Sequence, residues 1–132
     1  YCAGPKGSVK FAFLDFNNDG CLDIIVHNLS QKPRLLQNLC TSTNSWIKVK
    51  LLGTKSNMDG IGARVEIIAN NVQQIREISA GSSQMSQNML EAHFGVGSVN
   101  SIESLTVRWP SGNVNVLEHV DVNQSLLIVE SD

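Results

Sequence analysis

Short runs in which apolar and polar residues alternate are the feature that most constrains the fold of this chain. In Trp46–Leu51 the side chains of Lys48 and Lys50 alternate with three apolar ones, which is the two-residue period of a half-buried strand. The same period recurs in Ala63–Ile67 and in Leu105–Trp109, and each run is bounded by Gly, Asn, Ser or Pro. No window sustains the three- and four-residue spacing of an amphipathic helix. The sequence therefore predicts an all-β protein.

Further strands and the turns between them follow from the same pattern. Asn70-Asn71 is typical of a two-residue hairpin turn, and Pro110-Ser111-Gly112 places Pro and Gly where a β-turn favours them. The polar run Thr41-Ser42-Thr43-Asn44 is the best candidate boundary and divides the chain into residues 1–43 and 44–132. Seven more strands are expected near Val9–Leu14, Leu22–Asn28, Arg34–Leu39, Gln73–Ile78, Leu90–Phe94, Val114–Leu117 and Ser125–Glu130.

Composition excludes two classes of partner. The chain has 132 residues, a formal net charge of -2 and only 17% charged residues, so it lacks the basic face that binds a phosphate backbone. Its longest apolar runs are strand-sized, far short of the roughly 20 residues that cross a bilayer. We therefore expect neither nucleic-acid binding nor membrane insertion.

The clearest chemistry lies in the acidic segment from Asp15 to Asp23, with the sequence Asp-Phe-Asn-Asn-Asp-Gly-Cys-Leu-Asp. Its oxygen-bearing side chains stand at the first, third, fifth and ninth positions, and Gly20 permits a sharp bend. Ca²⁺ is a hard ion that takes six to eight oxygen ligands and offsets part of the repulsion among three nearby carboxylates. The spacing predicts a calcium loop whose ligands are Asp15, Asn17, Asp19, the backbone carbonyl of Cys21, and Asp23.

Three other interpretations of this segment are less favourable than a calcium loop between strands. An EF-hand requires Glu at the twelfth position and flanking helices, whereas this chain has Val26 there and strand-like flanks. Mg²⁺ prefers octahedral shells rich in water or phosphate. An Asx-rich turn that binds nothing is the remaining alternative, because Asp, Asn and Gly are also common turn residues. Four oxygen-bearing positions together with the glycine favour calcium.

Cysteine and asparagine patterns are compatible with export. The three cysteines, Cys2, Cys21 and Cys40, permit one disulfide with one thiol left over, and the sequence leaves the pairing open. Two Asn-x-Ser sequons occur, at Asn28-Leu29-Ser30 and at Asn123-Gln124-Ser125. These features are compatible with a secreted or cell-surface glycoprotein and do not by themselves predict one.

The remaining motifs favour structural roles. Gly60-Ile61-Gly62 lacks the third glycine of a dinucleotide fingerprint and precedes a strand, which argues against nucleotide binding. Trp46 and Trp109 stand where core anchors are expected, so packing is favoured over an aromatic platform for sugar. No nucleophile is coupled to a base, so we expect no enzymatic activity and no catalytic residue.

Five motifs between Asn44 and Glu130 resemble the ASPIC/UnbV domain. They are Trp46-Ile47-Lys48-Val49, Gly53-Thr54-Lys55-Ser56-Asn57, Gly60-Ile61-Gly62-Ala63-Arg64-Val65, His93-Phe94-Gly95-Val96-Gly97 and Trp109-Pro110-Ser111-Gly112. Upstream, Asp15–Asp23 with Ile24-Ile25-Val26 and Asn28 resembles the end of an FG-GAP/VCBS repeat, the blade type of integrin-like propellers and of relatives of cartilage acidic protein.

The resemblance implies a fold and a function class. The fold is an antiparallel β-sandwich or barrel-like domain preceded by a partial propeller-blade-like hairpin with the calcium loop, and no catalytic residue is carried over. A solitary blade exposes strand edges, so partners are expected there, either other copies of the chain in a homo-oligomer or filament or other extracellular proteins. The resemblance also implies an exported protein, and the expected function is an extracellular (secreted or cell-surface), non-enzymatic calcium-binding module for cell adhesion or matrix assembly. The alternative is a carbohydrate-binding accessory domain that contacts glycans through Ser82, Ser83, Gln84 and Trp109.

Overall fold

The computed structural model describes residues 9–28, 31–41, 43–81 and 86–131, and its regular elements are all strands. The prediction of an all-β fold is confirmed. In chain order the strands are β1 (Val9–Leu14), β2 (Asp23–Asn28), β3 (Arg34–Leu36), β4 (Ser45–Leu52), β5 (Arg64–Ala69), β6 (Val72–Glu77), β7 (Ala92–Gly97), β8 (Ser101–Arg108), β9 (Val114–Asp121) and β10 (Gln124–Val129).

The chain forms two compact units. The first contains residues 1–40 and 81–89, and the second contains residues 41–80 and 90–132. The sequence places a junction at residues 41–44, and the first segment of the first unit ends at Cys40, just before that junction. The return of residues 81–89 to the first unit has no counterpart in the expected arrangement. Backbone bonding accounts for it, because the Met89 N–H donates to the Phe13 carbonyl at 3.1 Å.

The first unit is a three-stranded antiparallel sheet in the order β1-β2-β3. Cross-strand pairs put Phe13, Ile24 and Leu36 on one face, because Phe13 lies opposite Ile24 and Ile24 lies opposite Leu36. Phe11 lies on the same face, and its ring meets that of Phe13 edge to face at 5.8 Å. This unit therefore has one largely apolar sheet face.

The second unit pairs a three-stranded sheet, β10-β4-β7, with a four-stranded sheet, β6-β5-β8-β9. The core consists of apolar side chains at alternate strand positions. They are buried in one cluster that includes Ile47, Val49, Val65 and Ile67 together with their neighbours on the other strands. The arrangement fits the predicted β-sandwich, and among the described residues its two sheets do not close into a barrel.

Both predicted hairpin turns are present. Asn70 and Asn71 have φ of 51° and 61°, which is the left-handed conformation that a two-residue turn requires of both central residues. This turn joins β5 to β6. Between β8 and β9 the Gly112 N–H donates to the Trp109 carbonyl at 3.0 Å, and Gly112 has φ of 96°.

Two details differ from the sequence-based expectation. Strand β10 runs parallel to β4, whereas purely antiparallel pairing was expected. The reason is that the Asn123 N–H donates to the Trp46 carbonyl at the start of both strands. At their ends the Glu130 N–H donates to the Leu52 carbonyl.

The second difference is Lys48, which is 1% exposed although its strand position was expected to face solvent. Its ammonium is covered because it lies 3.9 Å from the Glu91 carboxylate and 5.6 Å from the centre of the Trp46 ring.

Candidate functional site

The predicted acidic loop connects β1 to β2. Asn18 and Gly20 have φ of 59° and 86°, so two left-handed residues turn the chain back on itself. Asn is one of the few non-glycine residues that tolerate this conformation, which explains why Asn is suited to position 18 of the loop. The flanking elements are strands, so the argument against an EF-hand is confirmed.

Two carboxylates hold the ends of the loop. Asp15 accepts the Asp19 N–H at 3.1 Å through Oδ1 and the Gly20 N–H at 3.0 Å through Oδ2. Asp23, which is fully buried, accepts the Phe16 N–H at 2.9 Å and the Asn38 N–H at 2.7 Å. These bonds fix the orientation of both carboxyl groups and join the loop to the segment that follows β3.

The third carboxylate is exposed. Asp19 accepts the Cys21 N–H at 2.8 Å, and its other oxygen accepts a bond from Asn17 Nδ2 at 2.7 Å. The loop therefore brings all five predicted ligand residues into one turn. It does not bring Asp15, Asp19 and Asp23 into a single group of mutually close ligand atoms within the described residues.

Cys21 is buried and pairs with Cys40, with 6.3 Å between the Cα atoms. The sequence had left this pairing open. Asp19 lies with the two sulfurs in a group whose atoms are within 4.8 Å of one another, but sulfurs joined in a disulfide are not thiolate ligands. Cys2 lies outside the described residues. The disulfide thus links the acidic loop to the segment that follows β3 in the first unit.

A second polar constellation lies at the end of β10 in the second unit. Glu130 is 3% exposed, and its Oε2 accepts three consecutive backbone N–H groups from Thr54, Lys55 and Ser56, at 2.9, 2.9 and 2.7 Å. Successive N–H groups that point at one oxygen form an anion-binding nest. We refer to Thr54–Ser56 together with Glu130 as the carboxylate cradle.

Side chains complete the cradle on the other oxygen of Glu130. Ser56 Oγ donates to Oε1 at 3.0 Å, Ser111 Oγ also donates to it, and Asn113 Nδ2 lies 3.4 Å away. Ser111 and Asn113 belong to the turn between β8 and β9. One carboxylate therefore ties the last strand to two separate turns of the second unit.

Glu130 ionises at unusually low pH. Burial alone would raise the pKa of its carboxyl, but the hydrogen bond from Ser111 and the backbone N–H bonds from Ser56, Thr54 and Lys55 outweigh burial. Together they lower the pKa from 4.5 to about 2. The cradle consequently holds a carboxylate anion at neutral pH.

Sequence reasoning missed this constellation. The signal was present in Gly53-Thr54-Lys55-Ser56-Asn57, a polar loop that begins with glycine and includes the three donors. The acceptor lies some 75 positions further along the chain, directly after a strand whose place in the sheet the sequence left undefined. The sequence of the three donors therefore does not reveal which carboxylate they bind.

Trp109 is the one residue of the set proposed for sugar contact that the structure describes. Trp109 is 4% exposed and its indole N–H donates to Asn115 Oδ1 at 2.6 Å, so the prediction that it packs in the core is confirmed. Ser82, Ser83 and Gln84 lie outside the described residues. Trp46 is half-buried and stacks on His93, with ring centres 6.4 Å apart.

Within the part of the chain that the structure describes, no helix has the length and apolar character needed to cross a membrane.

Comparison with known proteins identifies the family. The family model described as ASPIC and UnbV matches residues 53–132, which include the cradle. Cartilage acidic protein 1 of Xenopus tropicalis is 30% identical over 107 residues, which cover 78% of this chain and 16% of that protein. The chain thus spans about a sixth of the length of this relative. The chain belongs to the ASPIC and UnbV family.

Proposed function

We propose that this chain is a calcium-binding, non-enzymatic β-module of a secreted or cell-surface protein, with a role in adhesion or in assembly of matrix structures. The observation that carries the proposal is the acidic loop, in which two carboxylates are oriented by backbone N–H bonds and a disulfide holds the loop's end. The first unit is proposed to be the end of an FG-GAP/VCBS-type repeat, since its loop lies between two antiparallel strands.

The donor chemistry of the loop fits Ca²⁺. The carboxylates of Asp15, Asp19 and Asp23 are hard oxygen donors, and each oxygen that accepts one N–H keeps a second lone pair for a cation. Asn17 at present donates its amide to Asp19, so on binding the amide would turn to present Oδ1. The three carboxylates would also have to draw closer together than they lie now.

The calcium is proposed to be structural. Bringing three carboxylates together in one turn costs electrostatic free energy, and a divalent cation offsets that cost. Since Asp23 also accepts the Asn38 N–H, an ion at the loop would stabilise the segment after β3 as well as the turn itself. Binding energy would thereby become folding energy of the first unit.

Two observations support export. A disulfide between Cys21 and Cys40 is characteristic of proteins that mature in an oxidising compartment. The relative in Xenopus tropicalis is named as a protein of cartilage, which supports a matrix location for this chain, and the chain spans 16% of that relative.

Assembly is proposed to use the edge of the first unit. Strand β3 ends the order β1-β2-β3, and its three residues, Arg34–Leu36, are all exposed. An exposed, partly apolar edge strand presents N–H and C=O groups to which another chain can add a strand. A further copy of this chain or another extracellular protein is the proposed partner.

Thermal unfolding in calcium and in chelator tests the proposal. At calcium one hundred times its Kd, binding to the native state alone would add about 2.7 kcal/mol of stability. Asp19→Asn removes one charge while keeping the side chain's size, and a tenfold weaker Kd would reduce that gain by about 1.4 kcal/mol.

The matched control is Asp59→Asn, because Asp59 is an exposed carboxylate in the second unit, outside the acidic loop. We expect this variant to keep the full calcium response. A wild-type chain that melts at the same temperature in calcium and in chelator would contradict the proposal, as would an equal response in both variants.

A further inference from the structure

The turn between β9 and β10 presents a side-chain amide in a fixed orientation. Asn123 is exposed and has φ of 58°. Its backbone N–H donates to the Trp46 carbonyl at 2.6 Å, and its Oδ1 accepts the Trp46 N–H at 3.1 Å. Only the amide oxygen can accept from an N–H, so these contacts also assign which end of the amide is Nδ2.

The Nδ2 of Asn123 is left available. It donates a hydrogen bond to none of the described residues, and the next side chain turns away, because Gln124 Nε2 donates to the Asp121 carbonyl at 2.7 Å. Ser125, two residues after Asn123, is exposed at the start of β10. The three residues form the sequon Asn-x-Ser on an accessible turn.

We propose that Asn123 is an N-glycosylation site of this protein and that Asn28, in the other sequon, is not. The inference rests on the proposed passage of the chain through a secretory compartment. The co-reactant is a lipid-diphosphate-linked oligosaccharide: Nδ2 forms a bond to the anomeric carbon of the first sugar and the carbon–oxygen bond to the diphosphate breaks. The lipid diphosphate leaves with the bonding electrons, and Nδ2 releases one proton.

The modification is compatible with the folded turn. N-glycosylation replaces one of the two N–H bonds of Nδ2 and leaves Oδ1 unchanged as an acceptor. The contact between Oδ1 and the Trp46 N–H therefore persists in the glycosylated chain. The sugar would extend from an exposed position and would require no repacking of the core.

Asn28 differs in each of these respects. It is half-buried at the end of β2, and its Nδ2 donates to Gln31 Oε1 at 2.9 Å. Its Oδ1 is buried without a hydrogen-bond partner among the described residues. A glycan on Nδ2 would compete with the hydrogen bond to Gln31. It would also need room beside a side chain that is half-buried.

A glycan at Asn123 would also protect an edge. Strand β10 ends the order β10-β4-β7, so one side of its backbone is unpaired in the described sheet. Leu127, in the middle of this strand, is 60% exposed. A bulky hydrophilic group at the beginning of β10 would hinder the addition of a foreign strand, which is a recognised liability of exposed edges.

The test is secretion of the full chain from animal cells, with intact mass measured before and after removal of N-linked glycans by an amidase. We expect the wild type to lose one glycan and Asn28→Gln to behave identically. Asn123→Gln and Ser125→Ala should be secreted without a glycan. Ser125→Ala is the decisive variant, because it destroys the sequon and leaves the contacts between Asn123 and Trp46 in place.

A wild-type chain secreted without a glycan would overturn the inference, and so would loss of the glycan in Asn28→Gln. The same preparations are then melted in calcium and in chelator. An absent glycan with an intact calcium response would refute this inference alone, whereas a glycan at Asn123 without a calcium response would refute the calcium proposal alone.

Discussion

Among single residues, Glu130 gives the second unit a specific dependence on acid. The folded pKa is about 2 against an ordinary value of 4.5, so the carboxylate contributes stability that is fully present above about pH 4.5. That contribution falls as the pH drops and is lost as the pH passes through about 2. Glu130→Gln should be less stable at neutral pH and should lack this decline, as measured by denaturant unfolding at pH 7, 4 and 2.5.

Glu118→Gln is the matched control, because Glu118 is an exposed carboxylate on β9 of the same unit. It should leave the pH profile of the wild type unchanged. If Glu130→Gln retained the wild-type decline in unfolding free energy between pH 4 and 2.5, the cradle would not be the origin of the acid sensitivity.

Gly60 is a second residue with a defined energetic role. It has φ of 65°, and a Cβ at this position would lie 2.7 Å from Leu51 Cβ in the core. Gly60→Ala should therefore lower the free energy of unfolding by about 2–4 kcal/mol, because it combines a strained left-handed backbone with overpacking of the core. Gly95→Ala, on β7 with open space at its Cβ position, should cost less than about 0.5 kcal/mol. Equal unfolding midpoints for the two variants would contradict this account.

At the scale of elements, the Cys21–Cys40 disulfide should stabilise the first sheet against local unfolding. The cross-link spans 19 residues, and removing it should lower the free energy of unfolding by about 3 kcal/mol. The double variant Cys21→Ser/Cys40→Ser should therefore show faster amide hydrogen exchange in β1 and β2. Cys2→Ser, which leaves the pair intact, is the control. Unchanged protection of both strands in the double variant would show that the disulfide does not hold this sheet.

The strands themselves could be predicted from the sequence, whereas part of their pairing could not. Alternation in 46–51 and 105–109 and the Asn70-Asn71 turn have local causes, namely which side chains can share a face and which residues tolerate positive φ. The parallel pairing of β10 with β4 depends on contacts between Asn123 and Trp46 and between Glu130 and Leu52. Such distant contacts leave no periodic trace in the sequence.

The two polar sites show the same limit. The acidic loop was found because its oxygen donors stand within nine consecutive residues, and its calcium affinity stays a prediction. The carboxylate cradle was missed because its acceptor and its donors are joined only by the fold. Lys48 was expected to face solvent for a related reason, since the charge and the ring that cover it come from Glu91 and Trp46.

For the whole molecule, the assembly proposal makes a prediction about edge strand β3. Leu36 is 53% exposed, and a charged side chain on an edge strand disfavours addition of a further strand. Leu36→Lys should therefore abolish the concentration-dependent oligomers expected of the wild type in sedimentation velocity. Val116→Lys alters an apolar residue of the second unit that is 60% exposed, and it should leave the oligomers intact. Wild-type monomers at every concentration would contradict assembly through copies of the chain.

Calorimetric titration of calcium into the metal-free chain tests the central claim most directly. The acidic loop predicts saturable binding of one ion per chain, weakened roughly tenfold or more in Asp19→Asn and unchanged in Asp59→Asn. Absence of saturable heat in the wild type, or the same affinity in Asp19→Asn as in the wild type, would contradict it.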